Sequence, residues 1–547
     1  MQALMMNTPL LITSVMRHAN TYHGSREIVS CTSDNPRHRC TYRQVFQRAG
    51  KLANALRDLG LKPSDRVATL AWTDYRHLEL YYGVSCAGYI LHTINPRLFP
   101  EQISYITNHA EDQYLFVDPL VLPVIEGIRD QLKTVRGIIV LADDASMPKT
   151  LLSGAFSYES LIRTQPGDYD WPQLDENTAS SLCYTSGTTG KPKGVLYSHR
   201  SSILHAYAAA LPDSMNLSAR DAILPVVPMF HVNAWGIVYA GPMVGAKLIL
   251  PGAKAGDPET LHDLMETESA TIALGVPTVW LSLLQYLERE KKSLSSLNRT
   301  VVGGSACPLA IMDEFQEKHN VVVHHGWGMT ETSPLGTYNT PLPGMEVMSE
   351  EERKAIRAKQ GRAIYGIEVA IVDDSGNPLV WDGQQFGGLK VRGPWVAQRY
   401  YRDSADPNTG EQEWFDTGDV ATIDENGFMQ ITDRTKDLIK SGGEWIASIE
   451  LENLAVAHEG VLEAAVIGIA HPKWGERPLL IAIRAPGSSV EAEDVLAAIK
   501  GKVADWWLPD DVEFVENLPH TATGKVDKRE LRDLFASYQF PFVDGAC

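Results

Sequence analysis

Tyr184–Gly194 reads YTSGTTGKPKG, a run of hydroxyl side chains, glycines and lysines. Hydroxyls donate hydrogen bonds, glycine lets backbone N–H groups close on an anion, and lysine tips bring positive charge, so the chemistry suited is phosphate binding. The common phosphate loop, G-x-x-x-x-G-K-[S/T] entering a helix, does not fit. Only two residues separate Gly187 from Gly190, and Pro192 follows Lys191. A phosphate cradle of another kind and a plain surface turn both stay open here, because Gly, Ser, Thr and Pro also form turns.

Other stretches carry reactive groups. GWGMTET (326–332) sets a tryptophan, a threonine and a glutamate within one turn, and glutamate oxygen is a ligand for Mg²⁺. His231 and Trp235 sit in FHVNAWG, Asp419 in DTGD, Arg434 and Lys436 in DRTKD, and Lys525 in TATGKVDK. Taken singly, each has a bland reading: a core histidine, a turn aspartate, a solvated charge run, a surface lysine.

Alternating helical and strand patterns must position these groups. Val45, Ala49, Leu52, Ala53, Leu56 and Leu59 recur at helical spacing in 42–60, which stops at Gly60. Strand-like runs follow at DRVATLAW, Gln113–Val117, Gly137–Leu141, Ala222–Val226, Lys247–Leu250 and Val321–His324, mostly with helices between. The pattern predicts α/β layers with largely parallel strands. From about 363 to 432 short alternating runs punctuated by Gly, Asp and Asn predict a β-rich subdomain. The reading places an N-terminal domain at 1–432, a linking segment at 433–437 and a small α+β C-terminal domain at 438–547.

The chain has 547 residues, 44% hydrophobic and 21% charged, with a formal charge of −19. Such a length exceeds one core, and the acidity argues against nonspecific nucleic-acid binding. The six cysteines show neither disulfide nor zinc spacing. The start lacks a basic region ahead of its apolar run, and no apolar run nears bilayer length. A cytoplasmic protein without a transmembrane segment is expected.

Together the motifs resemble the AMP-forming adenylating enzymes: acyl-CoA synthetases, luciferases and nonribosomal adenylation domains. YTSGTTGKPKG, PMFHVNAWG, GWGMTET, WFDTGD, DRTKDLIKSGGEWIASIELE and LPHTATGKVDKRELR occur in that family's order. The HVNAW and GGEWIAS variants are most similar to the fatty-acyl and medium-chain CoA synthetases and to relatives acting on 3-methylthiopropionate. The resemblance implies that a carboxylic acid, ATP and CoA are the substrates, with Mg²⁺ assisting. It also implies a large α/β N-terminal domain with a small mobile C-terminal domain, and it admits a homodimer.

Residue by residue, the resemblance assigns Thr185, Ser186, Gly187, Thr188, Thr189, Gly190 and Lys193 to the ATP phosphates, leaving Lys191 as a loop lysine. Gly303, Gly304, Gly326, Trp327, Gly328 and Met329 would surround AMP, with Trp327 against adenine where many relatives carry tyrosine. Thr330 would meet the α-phosphate, Glu331 the Mg²⁺, Asp419 the ribose hydroxyls, and Arg434 the ribose or phosphate. His231 would stand beside the reacting carboxylate and Trp235 in the wall of the acyl and pantetheine passage. Lys525 would stabilise the adenylation transition state. Lys436 would be the hinge, with Lys440, Gly442, Gly443, Glu444 and Trp445 lining the pantetheine entrance. The acid is expected to be short to medium in length, or a thioether acid. A stand-alone enzyme that loads a carrier protein is the alternative.

Overall fold

Thr41 caps the helix Tyr42–Asp58 in a reciprocal box with Gln44, pairing N–H groups that the first turn leaves unsatisfied. Val45, Ala49, Leu52, Ala53 and Leu56 are fully buried, as their spacing predicts. The helix ends at Asp58, two residues short of Gly60. Asp74 caps the next helix, Tyr75–Ser85, every residue of which is buried. These details come from a computed structural model that describes residues 1, 3–185, 191–402, 414–434, 436–442, 444–521 and 526–540.

Among the described residues two large sheets dominate. One runs in the order Phe156–Ser157, Gly137–Val140, Asp112–Val117, Arg66–Leu70, Ile90–Thr93, Ala179–Tyr184, Gly194–Ser198. It is parallel except for its last pair. The other runs Arg362–Ala363, Leu335–Tyr338, Val322–Gly328, Arg299–Val302, Ile272–Gly275, Ala222–Pro225, Lys247–Leu250, Glu27–Ser30, His38–Thr41. It is parallel from Val322–Gly328 to Glu27–Ser30 and antiparallel at both edges.

One apolar cluster joins Val67, Leu91 and Phe116 of the first sheet to Ile223, Leu248 and Leu274 of the second through the helices between them. Helices Pro258–Thr267, Pro277–Glu290 and Leu309–His319 cover the outer face of the second sheet. Pro100–Ala110 and Leu122–Ile128 cover that of the first. The alternation read from sequence thus becomes five stacked layers. Charge buried in the middle layer is paired: Arg48 meets Glu79 at 2.6 Å and Glu159 at 2.7 Å. Deleting one partner of such a pair costs about 3–5 kcal/mol.

A four-stranded antiparallel sheet follows, Glu368–Val372, Phe386–Arg392, Phe415–Ile423 and Met429–Arg434. Past it lies a smaller C-terminal domain. Its sheet orders Glu444–Ile446, Ile439–Ser441, Gly475–Arg484 and Val461–His471, with Asp511–Phe514 parallel to Gly475–Arg484. Helices Ser448–Val456 and Ala492–Ile499 pack into one apolar cluster there and Lys528–Leu534 into a second. Among the described residues no helix is long and apolar enough to cross a membrane.

Candidate active site

The parallel strands Ala222–Pro225, Ile272–Gly275, Arg299–Val302 and Val322–Gly328 bring their carboxyl ends to one edge. Ligands bind at that edge in open α/β sheets. The chain leaves it through the segments holding His231–Trp235, Gly303–Gly304 and Trp327–Glu331. A Cβ on Gly303 would stand 3.1 Å from the Trp235 ring and 3.2 Å from the Gly326 carbonyl oxygen. Glycine at 303 therefore lets all three expected segments meet.

Trp235 arrives there by an unusual backbone. Val232, Asn233, Ala234 and Trp235 have consecutive φ values of +46°, +56°, +47° and +54°. A left-handed turn of L-residues costs roughly 1–2 kcal/mol per residue, so its surroundings must hold it. The Tyr81 hydroxyl lies 2.5 Å from the Met229 carbonyl and 3.1 Å from Asn233 Oδ1. Thr73 Oγ1 accepts the Met229 N–H at 3.0 Å. Buried His205 closes the far side; its Nε2 accepts the Leu335 N–H at 3.2 Å, and burial drives its pKa down to about 3.

The nucleotide-handling candidates assemble around Asp419. Trp327 is buried, and its Nε1–H donates to Asp419 Oδ2 at 2.9 Å. Arg434 Nε reaches Asp419 Oδ1 at 2.6 Å, and the two residues are register partners on adjacent strands. A tether for the aspartate is thus a role of Trp327 that motif reading missed. A carboxylate has about four lone-pair sites, the acceptor chemistry that ribose hydroxyls would require.

Thr330 and Glu331 are buried in the turn after Gly328. Tyr197 donates its hydroxyl to the Thr330 carbonyl at 2.6 Å, and Tyr400 donates to Glu331 Oε1 at 2.6 Å. Burial raises the Glu331 carboxyl above its ordinary range, against the pull of the Tyr400 hydroxyl. Met329 N–H bonds both Thr332 Oγ1, at 3.0 Å, and the Pro334 carbonyl, at 3.2 Å. Tyr197 and Tyr400 had no motif to announce them; the only trace in sequence is the aromatic pair in RYYRD, 399–403.

The strands Ala179–Tyr184 and Gly194–Ser198 form the neck of the expected phosphate loop. Thr185 N–H donates to the Lys193 carbonyl at 2.9 Å, and Lys193 N–H to Thr185 Oγ1 at 3.4 Å. The Lys193 ammonium stands 4.6 Å from the centre of the Tyr400 ring, that of Lys191 5.2 Å from Tyr105. Ser186, Gly187, Thr188, Thr189 and Gly190 lie outside the described residues, as do Gly443 and Lys525.

At the expected hinge, Arg532 donates to the Lys436 carbonyl at 3.2 Å and pairs with Asp437. Desolvation lowers the pKa of the surface residue Lys436, with neighbouring Asp437 opposing it. Just before it, Asp433 accepts the Ser448 N–H at 2.5 Å and the Ser448 hydroxyl at 2.6 Å. Lys528 meets Glu452 at 2.6 Å and donates to Ser448 Oγ. Burial opposes the Lys528 charge, but Glu452 and Asp433 outweigh it and hold its pKa up. In the neighbouring hairpin the Lys440 ammonium stacks on Trp445 at 4.1 Å. Gly442 turns at φ +62° with the Trp474 ring against it, where a side chain would collide. Glu444 pairs with Ser441 across that hairpin.

Among the described residues no group of three or more His, Cys, Asp or Glu is placed to hold a metal. A single carboxylate such as Glu331 would be a donor set suited to Mg²⁺ carried mainly by phosphate and water rather than to an all-protein cage.

The family described as AMP-binding enzyme matches residues 15–401, and its C-terminal domain matches 450–525. The 3-methylmercaptopropionyl-CoA ligase of Ruegeria pomeroyi is 51% identical over 97% of this chain and 98% of its own. The medium-chain-fatty-acid–CoA ligase of Ectopseudomonas oleovorans is 51% identical over 99% of both. Among solved structures, the anthranilate CoA ligase AuaEII in complex with anthranoyl-AMP superposes with a TM-score of 0.86 at 27% identity. That match covers 98% of this chain and 100% of the other.

Proposed function

Because this chain belongs to the AMP-binding enzyme family, we propose that it activates a carboxylic acid with ATP and passes the acyl group to CoA. In the first step a carboxylate oxygen attacks the α-phosphorus and the bond to pyrophosphate breaks. In the second the CoA sulfur attacks the acyl carbonyl and the bond to AMP breaks. The observation that carries this reading is the convergence of Lys193, Glu331 and the Trp327–Asp419–Arg434 cluster around one sheet edge.

The proposed roles follow the chemistry of each group. Asp419 and Arg434 hold the ribose, and Gly303, Gly304, Gly326, Trp327, Gly328 and Met329 shape the adenine end. Thr330 faces the α-phosphate, while Thr185 and the loop through Lys193 take the departing phosphates. Glu331 would hold Mg²⁺, which when bound offsets phosphate charge. His231 and Trp235 flank the acid, and Lys525 places positive charge at the α-phosphate. Lys436 is the proposed hinge, and Lys440 with Gly442–Trp445 the entrance for pantetheine. A short-to-medium fatty acid or a thioether acid is the proposed substrate, supported by the names of the two half-identical relatives. A cytoplasmic location suits the free, buried Cys31, Cys40, Cys86, Cys183 and Cys307.

The test is a product assay over a panel of acids, with and without CoA. AMP and pyrophosphate should appear only with Mg²⁺ and an acid, and CoA thioester only when CoA is added. ADP as the product would overturn the reading; acyl-AMP that CoA cannot discharge would favour a carrier-protein loader.

A further inference from the structure

We infer that Tyr400 is a positioning residue for the triphosphate end of the site, holding Glu331 and Lys193 through one side chain. The inference rests on the function proposed above. The Tyr400 hydroxyl donates to Glu331 Oε1 at 2.6 Å, while its ring carries the Lys193 ammonium 4.6 Å from the centroid. A phenol offers a polar edge to an anion and a negative face to a cation, so it satisfies both without neutralising either. Among the described residues no ion pair joins Lys193 to Glu331; such a pair would have to break before phosphate and metal could enter.

The backbone around Tyr400 is fixed to both sides of the site. Ala397 N–H donates to the Glu331 carbonyl and Tyr401 N–H to the Gly194 carbonyl, each at 2.7 Å. Ser333 donates its hydroxyl to the Trp395 carbonyl at 2.8 Å. The strap 395–401 thus joins the neck of the phosphate loop to the turn that carries Glu331. A cavity of about 480 Å³ runs along it, lined by Tyr197, Ser333, Trp395, Arg399 and Tyr400 among others.

Two substitutions separate the two contacts. Tyr400→Phe removes the hydroxyl and keeps the ring; Tyr400→Leu removes both. Calorimetric titration with a non-hydrolysable ATP analogue, with and without Mg²⁺, reads the effect apart from turnover. For Tyr400→Phe the gain in affinity on adding Mg²⁺ should shrink roughly tenfold, the low end for the loss of one hydrogen bond to a carboxylate. Its Mg²⁺-free affinity should stay within about twofold of wild type, because the ring contact survives. Tyr400→Leu should in addition lose about threefold in Mg²⁺-free affinity, the worth of an exposed cation–π contact. KM for ATP should move with these affinities, and the discharge of supplied acyl-AMP by CoA should not. An unchanged Mg²⁺ response in Tyr400→Phe, or equal losses with and without Mg²⁺ in both variants, overturns the inference alone. A wild-type protein that does not bind the analogue overturns the proposed function and this inference with it.

Discussion

Trp327 donates its indole N–H to Asp419 at 2.9 Å across 92 residues of chain. The bond ties the carboxyl end of the strand Val322–Gly328 to the antiparallel sheet, so the two halves of the proposed AMP site hold one carboxylate in common. Arg434 holds the other oxygen. A hydrogen bond to a charged group contributes about 1.5–3 kcal/mol, and the arginine limits the loss to the low end. Trp327→Phe should therefore raise KM for ATP about tenfold with a smaller change in kcat. Steady-state kinetics at saturating acid and CoA checks this, with Asp419→Asn as the severe comparison. An unchanged KM would make the contact purely structural.

Lys525→Ala should abolish acyl-AMP formation yet leave conversion of supplied acyl-AMP plus CoA within about tenfold of wild type, a barrier change of roughly 1.4 kcal/mol. The reason is that its ammonium is proposed to meet charge that builds only during adenylation. Single-turnover assays of the two half-reactions separate the outcomes. A parallel fall in both would remove the one-sided role.

Proline at Lys436 fixes φ and biases Thr435 toward an extended conformation, so the proposed hinge is restricted twice. The Arg532 bond uses the Lys436 carbonyl, which proline retains. Lys436→Pro should leave ATP-analogue affinity within about twofold and collapse one half-reaction while sparing the other. Rapid-quench measurement of acyl-AMP and thioester tells which arrangement is trapped. Equal, modest losses in both steps would mean that one arrangement serves both reactions.

Acid should weaken the fold through His205. Its folded pKa is lowered to about 3, below the ordinary value of 6.5, so the unfolded chain binds the extra proton between those limits. Its share of stability is complete above about pH 6.5 and is lost as pH falls toward 3, at about 1.4 kcal/mol per pH unit. Asp74 and Glu79, raised by burial to about 7, act in the opposite sense and mask part of the trend in wild type, while His77, His199 and His325, lowered by burial to about 4, add to it. The difference between wild type and His205→Gln removes that mask. Urea unfolding at pH 7.5 and pH 5 should show the gap narrowing by about 2 kcal/mol in acid. A gap independent of pH would mean that His205 titrates normally.

The layered α/β class was legible because period and punctuation are local properties of the chain. Val45 through Leu56 had to lie on one buried face, and they do. The turn of GWGMTET and the aspartate of DTGD were legible as short motifs. What escaped were contacts between distant segments whose residue types have commoner uses. Tyr400 reads as an ordinary aromatic until the fold sets it between Lys193 and Glu331. Trp327 reads as a stacking ring, although its N–H tethers Asp419. The left-handed run Val232–Trp235 contains no glycine, and only Asn233 among its residue types readily adopts that conformation, so nothing announces a run of four. Its conformation is imposed by Tyr81, Thr73 and their neighbours.

The buried hydrogen bonds of Asp433 bear on how a swing of the C-terminal domain would proceed. Asp433 stands before Lys436, whereas its partner Ser448 stands after it, backed by Lys528 and Glu452. Partway through a swing the aspartate would lose those bonds before any replacement arrived, and each buried polar group left unmade costs about 1–3 kcal/mol. Halfway postures of such a swing would therefore be thinly visited. In such a swing the contact would work as a detent: the domain would click between seats instead of drifting, and a small cluster of side chains would set the interval at which it lets go.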